Sequence, residues 1–152
     1  RYNDFIKALL SDDLDYMNQY MNQVAMQTFS FFDTGKKAEE QEEPERFYHG
    51  FVLGLMVDLA DKYRITSNRE SGLGRYDIMM EPLEKNKRAY VIEFKVHKAK
   101  REKDLEETAQ NALQQIAERN YDAELMARGI RKENIRHLGF AFWGKKVLIE
   151  QE

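Results

Sequence analysis

Between residues 4 and 32 apolar side chains recur at mixed spacings of three and four: Phe5, Leu9 and Leu10, then Leu14, Met17, Met21, Val24 and Met26. Ser11 with Asp12 and Asp13 interrupts the pattern and offers a fresh N-cap, so the stretch predicts two helices. Residues 33–44, DTGKKAEEQEEP, hold almost nothing to bury and read as a solvated linker, with Pro44 suited to the first turn of the next helix. From 45 to 62 apolar residues fall on nearly every side (Phe47, Phe51, Val52, Leu53, Leu55, Met56, Val57, Leu59), the pattern of a central helix covered on most faces.

Three short runs rich in β-formers come next, at 63–67, 74–81 and 89–96, and predict a meander of strands. Over 100–121 Leu105, Ala109, Ala112, Leu113 and Ile116 form one apolar stripe, that of an amphipathic helix laid on a sheet. Its pattern runs on to Arg128, where Gly129 stops it. Residues 135–143 and 146–149 give two more strands across a Gly144-Lys145 turn. The expected fold is α/β in the order α, β, β, β, α, β, β behind an N-terminal helical pair. At 152 residues a single domain is expected, with the pair at 1–32, the linker at 33–44 and the core at 45–152.

Composition acts mainly by exclusion. A hydrophobic share of 42% and aromatics at 12% fit a folded chain. With no cysteine, disulfides, thiolate metal sites and cysteine nucleophiles are ruled out, so any metal must sit on oxygen or imidazole ligands. The net charge of -3 decides nothing about a polyanionic partner, because a local cluster and not the sum attracts phosphate. No apolar run approaches the roughly 20 residues a membrane helix needs, and residues 1–10 lack the core of a secretory signal. The expectation is a soluble, cytoplasmic protein. A start at Arg1 and immediate helical pattern suggest a domain excised from a longer polypeptide.

One aspartate stands out. Asp77 lies inside the apolar run Arg-Tyr-Asp-Ile-Met-Met, where a carboxylate must be paired or functional. In the next strand Glu93 and Lys95 share a face because side chains alternate with period two. A hairpin centred on Lys85, with 82–88 as its loop, sets Met79 opposite Val91 and Asp77 opposite Glu93. Like charges facing each other repel unless a cation intervenes, and a hard, oxygen-lined site fits Mg²⁺ or Mn²⁺.

Asp77 followed sixteen positions on by Glu93-Phe94-Lys95, in αβββαββ order, resembles the PD-(D/E)xK nuclease superfamily. The likeness is greatest to the branch found C-terminal to AAA-ATPase-like domains in bacterial proteins of unassigned function. ERFYHGFVLGL, SNRESGLGRYDIMM, YVIEFKV, ALQQIAERNY and GFAFWGKKV all look like segments of that branch. The resemblance implies a restriction-endonuclease-like core with a mixed central sheet flanked by helices. It implies a Mg (or Mn) dependent nuclease acting on DNA, or RNA, in which Asp77 and Glu93 bind the ion and the Phe94 carbonyl adds a ligand. Lys95 would then orient or deprotonate the attacking water. An AAA-type ATPase domain upstream in the same chain would be the partner, and pairing of two copies to cut both strands is open. Tyr76 stands where the name-giving proline would be, which weakens the motif and spares the ligand.

Other candidates carry two readings each. Glu70 could reach the metal or hold Arg75, with Gly72 and Gly74 permitting close phosphate approach, or be a solvated turn residue. Glu45 matches an acid some members carry, yet suits a helix N-terminus as well. Gln115 lies at the margin of the apolar stripe, with Tyr121 beyond it, and is the better match to the family glutamine that contacts substrate or the lysine; Gln114 falls on the far side. The run Lys95, His97, Lys98, Lys100, Arg101, Lys103 could follow a phosphodiester backbone or be a solvated helix start. His49, His97 and His137 are too scattered for zinc, His49 reading as a core histidine, and Phe140, Phe142 and Trp143 read as core. Against the enzyme stand two alternatives: a catalytically silent module that binds nucleic acid or a partner and regulates an attached ATPase, and a structural adaptor, which leaves Asp77 unexplained.

Overall fold

The structure, a computed structural model, describes residues 2–28, 42–70 and 75–152. Its elements run α1 (Tyr2–Leu10), α2 (Leu14–Thr28), α3 (Glu42–Leu55), β1 (Tyr63–Glu70), β2 (Arg75–Pro82), β3 (Ala89–Val96), α4 (Leu105–Arg119), α5 (Tyr121–Ala127), β4 (Ile135–Trp143) and β5 (Lys146–Gln151). The five strands form one sheet in chain order. β1, β2 and β3 pair antiparallel, β3 and β4 pair parallel, and β4 and β5 pair antiparallel. A parallel step needs a crossover of a dozen or more residues, and α4 with α5 supplies it.

Period-two alternation divides the sheet between two apolar layers. Ile78, Met80, Ile92, Phe94, Leu138, Phe140 and Phe142 pack with Phe5, Leu9, Met17, Met21, Tyr48, Val52 and Met56 from α1 to α3 and the turn directly after α3. On the other face Met79, Val91 and Ile135 meet Leu113, Ile116, Leu125 and Ile130. Gly139 in β4 sets how closely α4 lies on that face, since a Cβ there would come within 2.7 Å of the Ala109 carbonyl and 3.2 Å of Ala112 Cβ. Of the three aromatics at the end of β4, Phe140 and Phe142 are core, whereas Trp143 is 45% exposed, so its assignment to the core is corrected.

The helical pair belongs to the core layer and also closes an edge. Asn18 and Asn22, one turn apart on α2, each clamp the backbone of β5. Asn18 accepts from Ile149 N at 2.7 Å and donates to its carbonyl at 3.1 Å. Asn22 accepts from Val147 N at 2.9 Å and donates to its carbonyl at 2.8 Å. Side-chain amides thereby satisfy the groups a sixth strand would otherwise take.

Several boundaries differ from the hydrophobic pattern: β1 runs three residues past Ser67 to Glu70 and β5 two past Ile149 to Gln151. Most of the expected linker, residues 33–41 of 33–44, lies outside the described residues, as does the end of the expected helical pair at 29–32, and α3 starts at Glu42, so the acidic end of the linker stretch is helical. The central helix is α-helical to Leu55 and tightens into a 3-10 turn over Met56–Leu59. The helix expected to run to Arg128 starts at Leu105, N-capped by the Asp104 side chain, and breaks at Asn120, which adopts the left-handed conformation with φ 55°. Among the described residues no helix is long and apolar enough to cross a membrane.

Candidate active site

The β2–β3 register is Ile78 with Ile92, Met79 with Val91 and Asp77 with Glu93. Both carboxylates point to the α4 face and both are buried, Asp77 at 3% exposure and Glu93 at 0%. Isolated anions could not stay charged there, and the compensating cation comes from the end of α4. Arg119 Nη1 donates to Asp77 Oδ2 at 2.7 Å and stands 3.8 Å from Glu93 Oε1. Tyr121 Oη donates to the same Asp77 oxygen at 2.7 Å. On an unbroken helix residues two apart point about 200° from each other, so the left-handed Asn120 is what lets Arg119 and Tyr121 converge. Burial alone would lower the Arg119 pKa; the hydrogen bond with Tyr121 and the charges of Glu93 and Asp77 outweigh it and raise it.

Lys95 lies on the same face of β3, two residues beyond Glu93, but its ammonium is turned to Glu102, with Nζ 3.2 Å from Oε2. Glu102 itself is 4% exposed. It accepts from Lys98 N at 2.8 Å, Thr108 Oγ1 at 2.9 Å and Asn111 Nδ2 at 2.7 Å. Burial pushes its carboxyl up, yet these bonds and Lys95 hold its pKa down at about 2. Asn111, Gln115 and Arg119 succeed one another at four-residue spacing along α4, so Gln115, half-buried, stands between the Lys95–Glu102 pair and the two carboxylates.

Asp77 and Glu93 are thus brought together, with Lys95 and Gln115 on the flank. Glu70 is the last residue of β1, and its side chain, like that of Glu45 in α3, lies outside the described residues, as do Gly72 and Gly74. The Phe94 side chain faces the opposite core layer, leaving only its carbonyl as a candidate ligand. Gln114 is exposed and bonds Glu118 at 3.2 Å. Within the basic run, His97 and Glu102 are buried while Lys98, Lys100, Arg101 and Lys103 are exposed. His49 is a satisfied core residue, its Nε2 2.7 Å from Ser67 Oγ, and His137 Nε2 lies 2.7 Å from Asp122 Oδ1. Among the described residues no group of three or more His, Asp or Glu is placed to hold a metal. Two facing carboxylates and a carbonyl still fit Mg²⁺, which keeps several waters and takes one or two carboxylates.

Sequence reasoning missed Arg119 and Glu102. Arg119 was open to detection: it is four residues beyond Gln115 and two before Tyr121, and Asn120 between them is a residue that accepts the left-handed conformation. Glu102 looked like one more charge in a mixed-sign helix start.

A mixed sheet with a carboxylate pair across β2 and β3, overlaid by a crossover helix, defines a restriction-endonuclease-like α/β domain. The chain belongs to the PD-(D/E)XK nuclease superfamily, whose family model matches residues 43–152. No curated protein and no solved structure matches it.

Proposed function

We propose that the protein is a metal-dependent nuclease hydrolysing phosphodiester bonds of DNA, with RNA the alternative substrate. The observation that carries this reading is the direct pairing of Asp77 with Glu93, with Lys95 on the same strand face. The two carboxylates, with the Phe94 carbonyl, would hold Mg²⁺ or Mn²⁺ once Arg119 releases Asp77 Oδ2. The ion would neutralise charge developing on the scissile phosphate. Lys95, held by Glu102, orients or activates the attacking water, and Gln115 contacts substrate or the lysine. Glu70 is kept as a further acid near the site. The protein acts in the cytoplasm, in a bacterial chain that carries an AAA-type ATPase domain. The test is cleavage of plasmid and single-stranded DNA with Mg²⁺ or Mn²⁺: wild type cuts, Asp77→Ala and Lys95→Ala do not. Metal-dependent cutting that survives both substitutions overturns the assignment.

A second reading has its own support. Arg119 already compensates the two buried carboxylates, as it would in a silent module that binds nucleic acid or a partner and regulates the attached ATPase. Calorimetry separates the two: binding without metal dependence, together with no turnover, favours the second.

A further inference from the structure

The exposed indole at the end of β4 lies beside the site, not in the core. Trp143 is the chain's one tryptophan, and its ring stacks on His97 with centroids 4.0 Å apart and planes at 29°. The imidazole is fixed in turn: His97 N donates to the Phe142 carbonyl at 2.7 Å, and Nδ1 lies 2.6 Å from Thr108 Oγ1, which donates to Glu102. The indole therefore rests on a rigid base and presents nearly half its surface outward.

Cations border it. Lys146 Nζ lies over the indole ring, 6.0 Å from its centroid, on an exposed and flexible side chain that can swing off the ring. The residues after His97 fold into a turn, Arg101 N and Glu102 N both donating to the Lys98 carbonyl at 2.9 Å. In that turn Glu102 points inward and Asp104 caps α4, so Lys98, Lys100, Arg101 and Lys103 are left facing solvent. The segment has mixed charge in sequence and is basic on its surface.

A flat, exposed aromatic ring bordered by cations suits a base on the ring and phosphates on the lysines. In a duplex the base faces are already stacked on one another, so the ring can take only an unpaired base. His97 directly follows β3 and lies four residues beyond Glu93, about 13 Å on at extended spacing, with Lys95 midway. We infer that Trp143 is a stacking platform for an unpaired base of a single-stranded nucleic acid, whose phosphates lie along Lys98, Lys100, Arg101, Lys103 and Lys146. The inference deepens the nuclease reading, on which it rests for the direction in which the strand leads, toward Lys95 and Glu93.

Because there is one tryptophan, its fluorescence reports the contact directly. In EDTA, where nothing is cut, oligo(dT) should quench it saturably, and a duplex of equal length much less. By anisotropy of a labelled oligo(dT), Trp143→Ala should weaken binding about tenfold and Trp143→Phe far less, with thermal melting confirming that both variants fold. Asp77→Ala should be quenched like wild type, so failure of the nuclease assignment leaves this result standing. Absence of quenching, equal quenching by duplex, or unchanged affinity in Trp143→Ala overturns the inference. Equal quenching by poly-glutamate would assign the surface to an acidic protein partner and overturn it too.

Discussion

Arg119 sits between Asp77 and Glu93, bonded to the first at 2.7 Å and 3.8 Å from the second. It occupies the place where hydrophobic patterning and charge repulsion had called for a metal ion. A guanidinium carries one positive charge and a divalent ion two, and both seek the same carboxylate oxygens. A divalent ion binding there, as proposed, would have to compete with the guanidinium for one anionic patch.

Removing the guanidinium strips two buried carboxylates of that counterion, which costs about 3 kcal/mol. Arg119→Gln should therefore melt well below wild type in EDTA and recover stability in millimolar Mn²⁺, by more than wild type gains, because an ion that binds only the folded state stabilises it. Calorimetric melting with and without Mn²⁺ checks this; equal Mn²⁺ gains in both proteins would separate Arg119 from the metal question.

Glu102 sets an acid limit. Its pKa falls from 4.5 when unfolded to about 2 when folded, so the unfolded state binds more protons in between and stability rises with pH across that window. The contribution is complete above pH 4.5 and is lost as pH drops toward 2, on the order of 3 kcal/mol in total. Urea unfolding at stepped pH should show a steep slope there in wild type and a shallower one in Glu102→Gln. Cleavage should also fall in the variant, since Lys95 loses the partner that positions it.

Gly139→Ala places a methyl group against the Ala109 carbonyl and lifts α4. A loss of 1–3 kcal/mol is expected, roughly the range for overpacking. Gln115 and Arg119 ride on the same helix, so Mn²⁺ affinity should shift along with stability; titration calorimetry reads the first and urea unfolding the second.

Asn18→Ala with Asn22→Ala removes four hydrogen bonds to β5. At ~1 kcal/mol each the double variant should lose several kcal/mol. Light scattering should show it associating through the bared strand. A monomeric double variant of unchanged stability would show that the clamp contributes nothing.

What was legible in the sequence was local. Loop length and alternation sufficed to pair Asp77 with Glu93 and to put Lys95 on their face, because a hairpin register is set by its turn. The strands at 89–96 and 135–143 match the sheet, since runs of β-formers are bounded by their own punctuation. The break at Asn120 was hidden, because the apolar stripe continues in α5 through Leu125 and periodicity does not register one left-handed residue. The partners of Asp77 and Lys95 were hidden too: Arg119 lies 42 residues from Asp77, and Glu102 is buried by a turn that only the parallel β3–β4 step explains.

The span that matches the superfamily opens at residue 43, yet Phe5, Leu9, Met17, Met21 and Ala25 are part of the same interior as Phe94 and Phe142. Whoever trims the gene to the matched span removes one wall of the molecule and uncovers the outer backbone of its last strand. The shared interior and the covered strand edge both reach beyond the piece that kinship recognises.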